Sequence, residues 1–266
     1  ARRRLSKMLS FSIPLIQLQV LFLIFLRVGA ILMSMPIFKS KSIPILIKFG
    51  LALAASIVLY PLLDRTAFPV LSDLGSFAIG AVGEILLGIS IGLAVNLIFV
   101  GLQMAGQISG YQMGLALARV MDPSAGQQVP LLSQFFQLFA FLIFLTINAH
   151  HWFLMALVES FQLVPPLGFK VSGSLIEQLI RIGGHMFVIA IKVGAPVIAA
   201  LLLTSVAFGL IARTVPQMNV FLVAMPLKII IGLLFIGFSL PYLSSYLKTI
   251  FSNLGNMIFL LMKAAS

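Results

Sequence analysis

Long apolar runs separated by short polar segments make up most of this chain. Each run reaches the ~20 residues that a helix needs to cross the hydrocarbon core of a bilayer. An outer-membrane barrel would instead show many alternating segments of about ten residues. We therefore predict an all-α, polytopic integral membrane protein whose long helices pair into hairpins. The predicted helices, about six in number, cover residues 11–35, 43–63, 77–106, 131–158, 182–211 and 220–247.

The predicted helices differ in length and in their proline content. The fourth run has 28 residues, which as one helix would be about 42 Å long, so it must tilt in the bilayer or project beyond it. Pro196, Pro226 and Pro241 predict kinks in the last two helices. The segment 159–173 contains two adjacent prolines and two glycines and is the clearest break in composition. The tail 248–266 is predicted to be amphipathic.

The segment from Gln107 to Pro130, the central segment, fits neither a membrane span nor an ordinary loop. Its apolar part, from Met113 to Met121, is far shorter than the ~20 residues of a span. Irregular backbone at membrane depth occurs only where protein buries it or where it lines a cavity. We predict a re-entrant, pore-lining loop here. A buried loop between helices is the alternative.

Glycines at a four-residue spacing predict close packing between helices. Gly88 and Gly92 form such a pair within the third run, and Gly106 and Gly110 form another where the central segment begins. Lipid does not drive membrane helices together, so they associate through small residues that let two backbones approach.

Composition and charge narrow the class of protein further. With 61% hydrophobic and 9% charged residues, the chain has more apolar surface than one globular core of this size can hide. The absence of cysteine excludes disulfides, thiolate nucleophiles and thiolate metal ligands. The net charge of +11 comes from bases in short loops and within apolar runs, and does not predict nucleic-acid binding. The loop bases divide almost evenly between the two sides once the N-terminal cluster is set aside, so charge does not fix the membrane orientation.

Charged residues inside the apolar runs are candidates for buried functional or structural charges. There are four bases, Arg27, Lys48, Lys192 and Lys228, and one acid, Glu84. A charge near the bilayer centre costs ~2.5–3.5 kcal/mol on insertion scales. Lys48 and Lys228 lie near the ends of their runs and are expected to extend to the interface. For Arg27 and Lys192 we expect water or a partner subunit.

The sequence offers little support for catalysis. His150 and His151 are adjacent, so they would point about 100° apart on a helix and, with Trp152, are typical of an interfacial belt. Ser109 and His185 lack the surrounding motif of an intramembrane serine protease. There is no phosphate-binding loop, paired carboxylate or HExxH motif. We predict no catalytic residue, no metal site and no cofactor, and therefore no enzyme.

Three stretches resemble one known family, and the resemblance extends over nearly the whole chain. They are GYQMGLALARVMDP from Gly110, NAHHWFLMALVESF from Asn148 and IARTVPQMNVFLVAMPLKIIIG from Ile211. In these stretches the chain is similar to the FliR family of flagellar biosynthetic proteins, which has relatives, SpaR and SctT, in injectisomes. An injectisome subunit is one alternative, and an unrelated ion or solute transporter using Lys192 and Glu84 is another.

The resemblance implies a subunit of the flagellar type III protein export gate in the bacterial inner membrane, at the flagellar basal body. Its expected partners are FliP-like and FliQ-like subunits, with FlhB-like and FlhA-like components beside them, membrane lipid, and unfolded secreted proteins as substrates. Residues 1–173 would correspond to a FliP-like part, and residues 174–266 to a FliQ-like hairpin with its tail. The family also implies a periplasmic N-terminus and helices that do not all cross lipid.

The family further implies that the central segment forms a plug loop that closes the channel. Arg119 departs from the small or apolar residue expected at its position. The residues assigned to the plug are Met113, Gly114, Leu115, Leu117, Arg119, Val120, Met121, Asp122 and Pro123.

Overall fold

The computed structural model describes residues 15–36, 38, 43–63, 74–115, 130–215, 217 and 219–266. The helices are α1 Leu15–Ser34, α2 Ile45–Leu59, α3 Leu74–Gln112, α4 Leu131–Thr146, α5 Ala149–Leu163, α6 Gly173–Thr214, α7 Val220–Ser252 and α8 Leu254–Ala265, with a 3-10 turn at Tyr60–Leu62. Among the described residues, five helical stretches are long and apolar enough to cross a membrane, or six if the bent pair α4–α5 counts as one. The prediction of an all-α, polytopic membrane protein is confirmed.

Residues 131–158, predicted as one apolar run, form most of two helices. Helices α4 and α5 meet at a bend of 75°. Between them Asn148 has a φ of 55°, a left-handed conformation that asparagine tolerates better than most residues. Neither tilt nor projection is needed, because the run is two short helices.

The third predicted helix is longer than expected. Helix α3 continues through the first six residues of the central segment and ends at Gln112. Gly114, with a φ of +80°, terminates it: its N–H donates to Tyr111 O and the Leu115 N–H donates to Gly110 O, both at 3.1 Å. This is the Schellman arrangement, in which a left-handed glycine satisfies the last helical carbonyls. The predicted start of the irregular backbone therefore moves from Gln107 to Met113.

The first compact unit contains residues 1–93, 155–178 and 258–266. Helices α1 and α2 pack as the predicted hairpin. Helix α1 meets α3 at backbone distance, because a Cβ on Gly88 would lie 2.8 Å from Arg27 O, and one on Gly92 would lie 2.2 Å from Ser34 Cβ. These two glycines allow α1 and α3 to approach each other at this short distance.

The second compact unit contains residues 94–154 and 179–257. Its aromatic core is centred on Phe99, whose ring centroid lies 4.7 Å from that of Phe141 and 5.6 Å from that of Phe251. Helix α3 packs on α4 at Gly106, where a Cβ would lie 2.5 Å from Ser133 Cα. The Ser133 hydroxyl donates to Gln103 O at 2.9 Å across the same contact. Both units take residues from either side of Gly173, so the division into 1–173 and 174–266 remains a prediction about correspondence to other proteins.

Gly92→Ala should destabilise the protein by about 1–3 kcal/mol, the usual range for overpacking, because its new methyl group collides with Ser34. Gly50→Ala is the matched control. Gly50 lies inside α2 with nothing within 4 Å of its Cβ position, so alanine there should stabilise by about 0.5–1 kcal/mol. Free energies of unfolding in detergent measure both changes. Equal effects of the two substitutions would contradict close packing at Gly92.

Candidate functional site

Arg27 and Glu84 form a buried ion pair between α1 and α3. Both side chains are completely buried, and among the described residues they are the only buried charged groups. The guanidinium approaches the carboxylate with two nitrogens: Nε donates to Oε2, and Nη2 donates to Oε1 at 3.0 Å. The expectation that Arg27 requires water or a partner subunit is wrong, because the one acid within the apolar runs is its partner.

The other polar atoms of this pair are also satisfied within the chain. Arg27 Nη1 donates to the carbonyl of Ser160 at 2.8 Å and to that of Val164 at 2.9 Å. The Leu167 N–H donates to Glu84 Oε1 at 2.9 Å. Arg27 Cζ also lies 4.2 Å from the centroid of the Phe161 ring. We call these groups the arginine cluster; it joins α1, α3, the end of α5 and the loop after α5.

The loop after α5 is shaped to complete this cluster. Leu167 has a φ of 68°, unusual for a branched apolar residue. Its side chain occupies the space where a Cβ on Gly80 would be, 1.8 Å from Leu167 Cδ2. The strained backbone of Leu167 thus directs its N–H to Glu84 while its side chain packs against bare backbone on α3. Glycine is therefore required at position 80 for the loop after α5 to pack against α3.

The arginine cluster is structural in its chemistry. A buried pair is stable only when further hydrogen bonds satisfy its remaining donors and acceptors, as they do here. Both oxygens of Glu84 accept bonds from Arg27 or Leu167. The carboxylate is therefore already occupied, which counts against a transporter that uses Glu84 to bind an ion.

The three lysines predicted to be buried charges are placed differently. Lys192 is exposed in this chain, and Lys48 and Lys228 are partly exposed. The Lys192 ammonium lies 5.6 Å from the centroid of the Tyr246 ring. A position inside an apolar run therefore does not imply burial within the chain, because such a run also presents faces to its surroundings.

The start of the predicted plug rests on α7. Met113 is completely buried, and its side chain lies 2.8 Å from the position of a Cβ on Gly232. Gly114 lies close to Met225, because a Cβ on Gly114 would be 2.9 Å from Met225 Cε. Leu115 is partly exposed. The other plug residues, Leu117, Arg119, Val120, Met121, Asp122 and Pro123, lie outside the described residues.

The remaining predicted residues occupy distinct places in the fold. Gly110 makes only ordinary contact, since its Cβ position is 3.8 Å from Leu132 Cδ1. His150 and His151 open α5 at the bend, with ring centroids 4.3 Å apart, and His150 Nδ1 is buried without a partner among the described residues. The two histidines thus mark a helix break within the fourth run.

Sequence reasoning did not identify several residues that complete these contacts. Ser160, Val164 and Leu167 contribute backbone atoms to the arginine cluster, which no side-chain motif can reveal. Gly232 could have been noticed as a lone glycine inside an apolar helix, a position that often marks a close approach.

Comparison with known proteins matches this sequence to one family. The model of the family described as bacterial export proteins, family 1, matches residues 18–254. The flagellar biosynthetic protein FliR of Bacillus subtilis (strain 168) is 32% identical over 236 residues, which cover 86% of this chain and 89% of the relative. FliR of Escherichia coli (strain K12) is 31% identical over 233 residues, 88% of each chain. FliR of Pectobacterium carotovorum is 29% identical over 234 residues, 88% and 89% of the two chains.

Glu84→Gln should destabilise the protein by about 3–5 kcal/mol, because it leaves the Arg27 charge buried without a counter-ion. Replacing both partners, as Arg27→Met with Glu84→Leu, should recover only part of that loss, because the Val164 carbonyl and the Leu167 N–H then lose their bonds to this pair. Glu159→Gln changes an exposed acid and is the matched control; we expect a change within about 0.5 kcal/mol. Denaturation of the purified chain in detergent measures all three. A loss no larger than the control's would contradict the buried pair.

Proposed function

The chain belongs to the FliR family of bacterial export proteins, and from that membership we propose that it is a membrane subunit of the flagellar protein export gate, required for flagellar protein export and flagellum assembly. The observation that carries this proposal is the match to the family over residues 18–254. The relatives compared above are all named for flagellar biosynthesis. This favours the flagellar assignment over an injectisome subunit.

The proposed partners are FliP-like and FliQ-like subunits, with FlhB-like and FlhA-like components nearby. Helices α6 and α7 expose large apolar side chains along most of their length, including Leu203 at 71%, Leu222 at 69% and Phe238 at 77%. Large apolar surfaces are unfavourable in water, so partner helices or lipid must cover these faces of α6 and α7. We propose that residues 174–266 act as a FliQ-like hairpin and residues 1–173 as a FliP-like part. The proposed location is the bacterial inner membrane within the flagellar basal body.

We also propose that Met113 to Met121 closes the export channel at rest. A closed channel for unfolded proteins needs a barrier that excludes ions and then deforms around many sequences. Apolar constrictions exclude ions by losing their water, and unbranched methionine side chains adapt their shape. The described contacts support a fixed base for this barrier, because Met113 is held against Gly232 and Gly114 ends α3.

An affinity-tagged chain, expressed at its native level and purified from native membranes in mild detergent, should recover FliP-like and FliQ-like subunits. We expect this recovery because the apolar faces of α6 and α7 are exposed in the single chain. Mass spectrometry of the purified material identifies the partners, and a tagged polytopic protein of unrelated function is the control. Recovery of injectisome subunits would identify the other branch, and recovery of the chain alone would contradict the gate assignment.

Gly232→Leu should make cells permeable to small ions while the gate complex still assembles, because the larger side chain displaces Met113 from its seat. Gly237→Leu is the matched control on the same helix, since nothing lies within 4 Å of the Gly237 Cβ position. Ion leak, measured with a potential-sensitive dye, should rise several-fold above that of the control. Loss of the complex without a leak would show that Met113 belongs to a static core and not to a gate.

A further inference from the structure

Helices α6 and α7 carry uncharged stretches of nearly equal length. In α6 the stretch 193–212 lies between Lys192 and Arg213, and in α7 the stretch 229–247 lies between Lys228 and Lys248. At 1.5 Å per residue, each pair of bases is about 30 Å apart along its helix. That separation matches the ~30 Å hydrocarbon core of a bilayer. The four bases are therefore spaced as residues at the two borders of one hydrocarbon layer would be.

A contact between the helices identifies which bases share a border. The Lys192 ammonium lies 5.6 Å from the centroid of the Tyr246 ring. Tyr246 precedes Lys248 by two residues, or about 3 Å along α7. Lys192 and Lys248 thus lie at the same level. Although Lys192 lies well inside α6, this level is one end of the uncharged stretch 193–212.

The surroundings of Lys192 suit a phosphate group. Tyr242 and Tyr246 stack with their rings 3° from parallel and their centroids 6.1 Å apart. Tyr242 is 51% exposed, and Lys192 is exposed and forms no ion pair with any described residue. His185 lies on the same face of α6 as Lys192, about 20° away around the helix axis, and is also exposed.

We propose that Lys192, Tyr242 and Tyr246 form a binding site for the phosphate of an anionic phospholipid. The ammonium and the two phenol hydroxyls supply hydrogen-bond donors at the depth where lipid phosphates lie. Exposed apolar side chains on the hydrocarbon side of the site, Leu203 at 71% and Phe238 at 77%, are available to the acyl chains. A carboxylate of a partner protein would need an acid placed at this border, whereas the bilayer itself supplies phosphate there. The site does not depend on the proposed export role.

Native mass spectrometry of the full chain, purified in neutral detergent, tests the site with phosphatidylglycerol and phosphatidylcholine as probes. Wild type should bind phosphatidylglycerol about fivefold more than phosphatidylcholine, the factor expected for one basic residue. Lys192→Gln should abolish this preference, and Lys192→Arg should keep it. Lys170→Gln, an exposed loop lysine, is the matched control and should also keep it.

Several outcomes would overturn the proposal. Equal binding of the two lipids by wild type would do so, as would a preference that survives Lys192→Gln. If Lys192→Gln leaves lipid binding intact but reduces recovery of partner subunits from native membranes, Lys192 instead meets a partner's acid. Tyr242→Phe combined with Tyr246→Phe is an independent variant that keeps every charge. It should lower phosphatidylglycerol binding while leaving the elution volume of the protein unchanged.

Discussion

The buried pairing of Arg27 with Glu84 is the interaction on which the first compact unit depends. In an apolar protein, an unpaired arginine is among the groups that cost most free energy to bury, so its surroundings are tightly constrained. The carboxylate must come from α3, two carbonyls must come from the end of α5, and the loop after α5 must direct one N–H to the carboxylate. Few other arrangements of these elements would satisfy all of these atoms.

Glycine makes these contacts possible along α3. Gly88 brings α3 to the backbone of α1 beside Arg27, and Gly80 accommodates Leu167. In the second unit, a Cβ on Gly101 would lie 2.7 Å from Met186 O, and Gly106 lies against Ser133. Because lipid provides no hydrophobic drive between helices, van der Waals contact at short range has to hold them together. One helix thus supplies the small-residue surfaces of both units, each through its own glycines.

The sequence predicted the helices but not most of the contacts between residues on different helices. Apolar runs of 20 or more residues leave little choice but helix, since every backbone polar group must be satisfied internally in lipid. The break at Asn148 was missed because asparagine gives only a weak local signal inside an otherwise apolar run. Arg27 and Glu84 are 57 residues apart, so counting acids showed that at most one base could pair but not which one. The level of Lys192 along α7 was also missed, because it depends on the contact between Lys192 and Tyr246, which is formed between two helices.

The discontinuity of the first unit has a consequence for biosynthesis. Arg27 is made 57 residues before Glu84 and 133 before Ser160. At the usual ~5–20 residues per second, it waits about 3–11 s for its counter-ion and about 7–27 s for its carbonyl partners. Ala265, whose carbonyl accepts the Lys170 N–H at 3.1 Å, arrives later still. Nascent α1 therefore emerges with an uncompensated charge, which favours its retention in a hydrated insertion site until α3 has been synthesised.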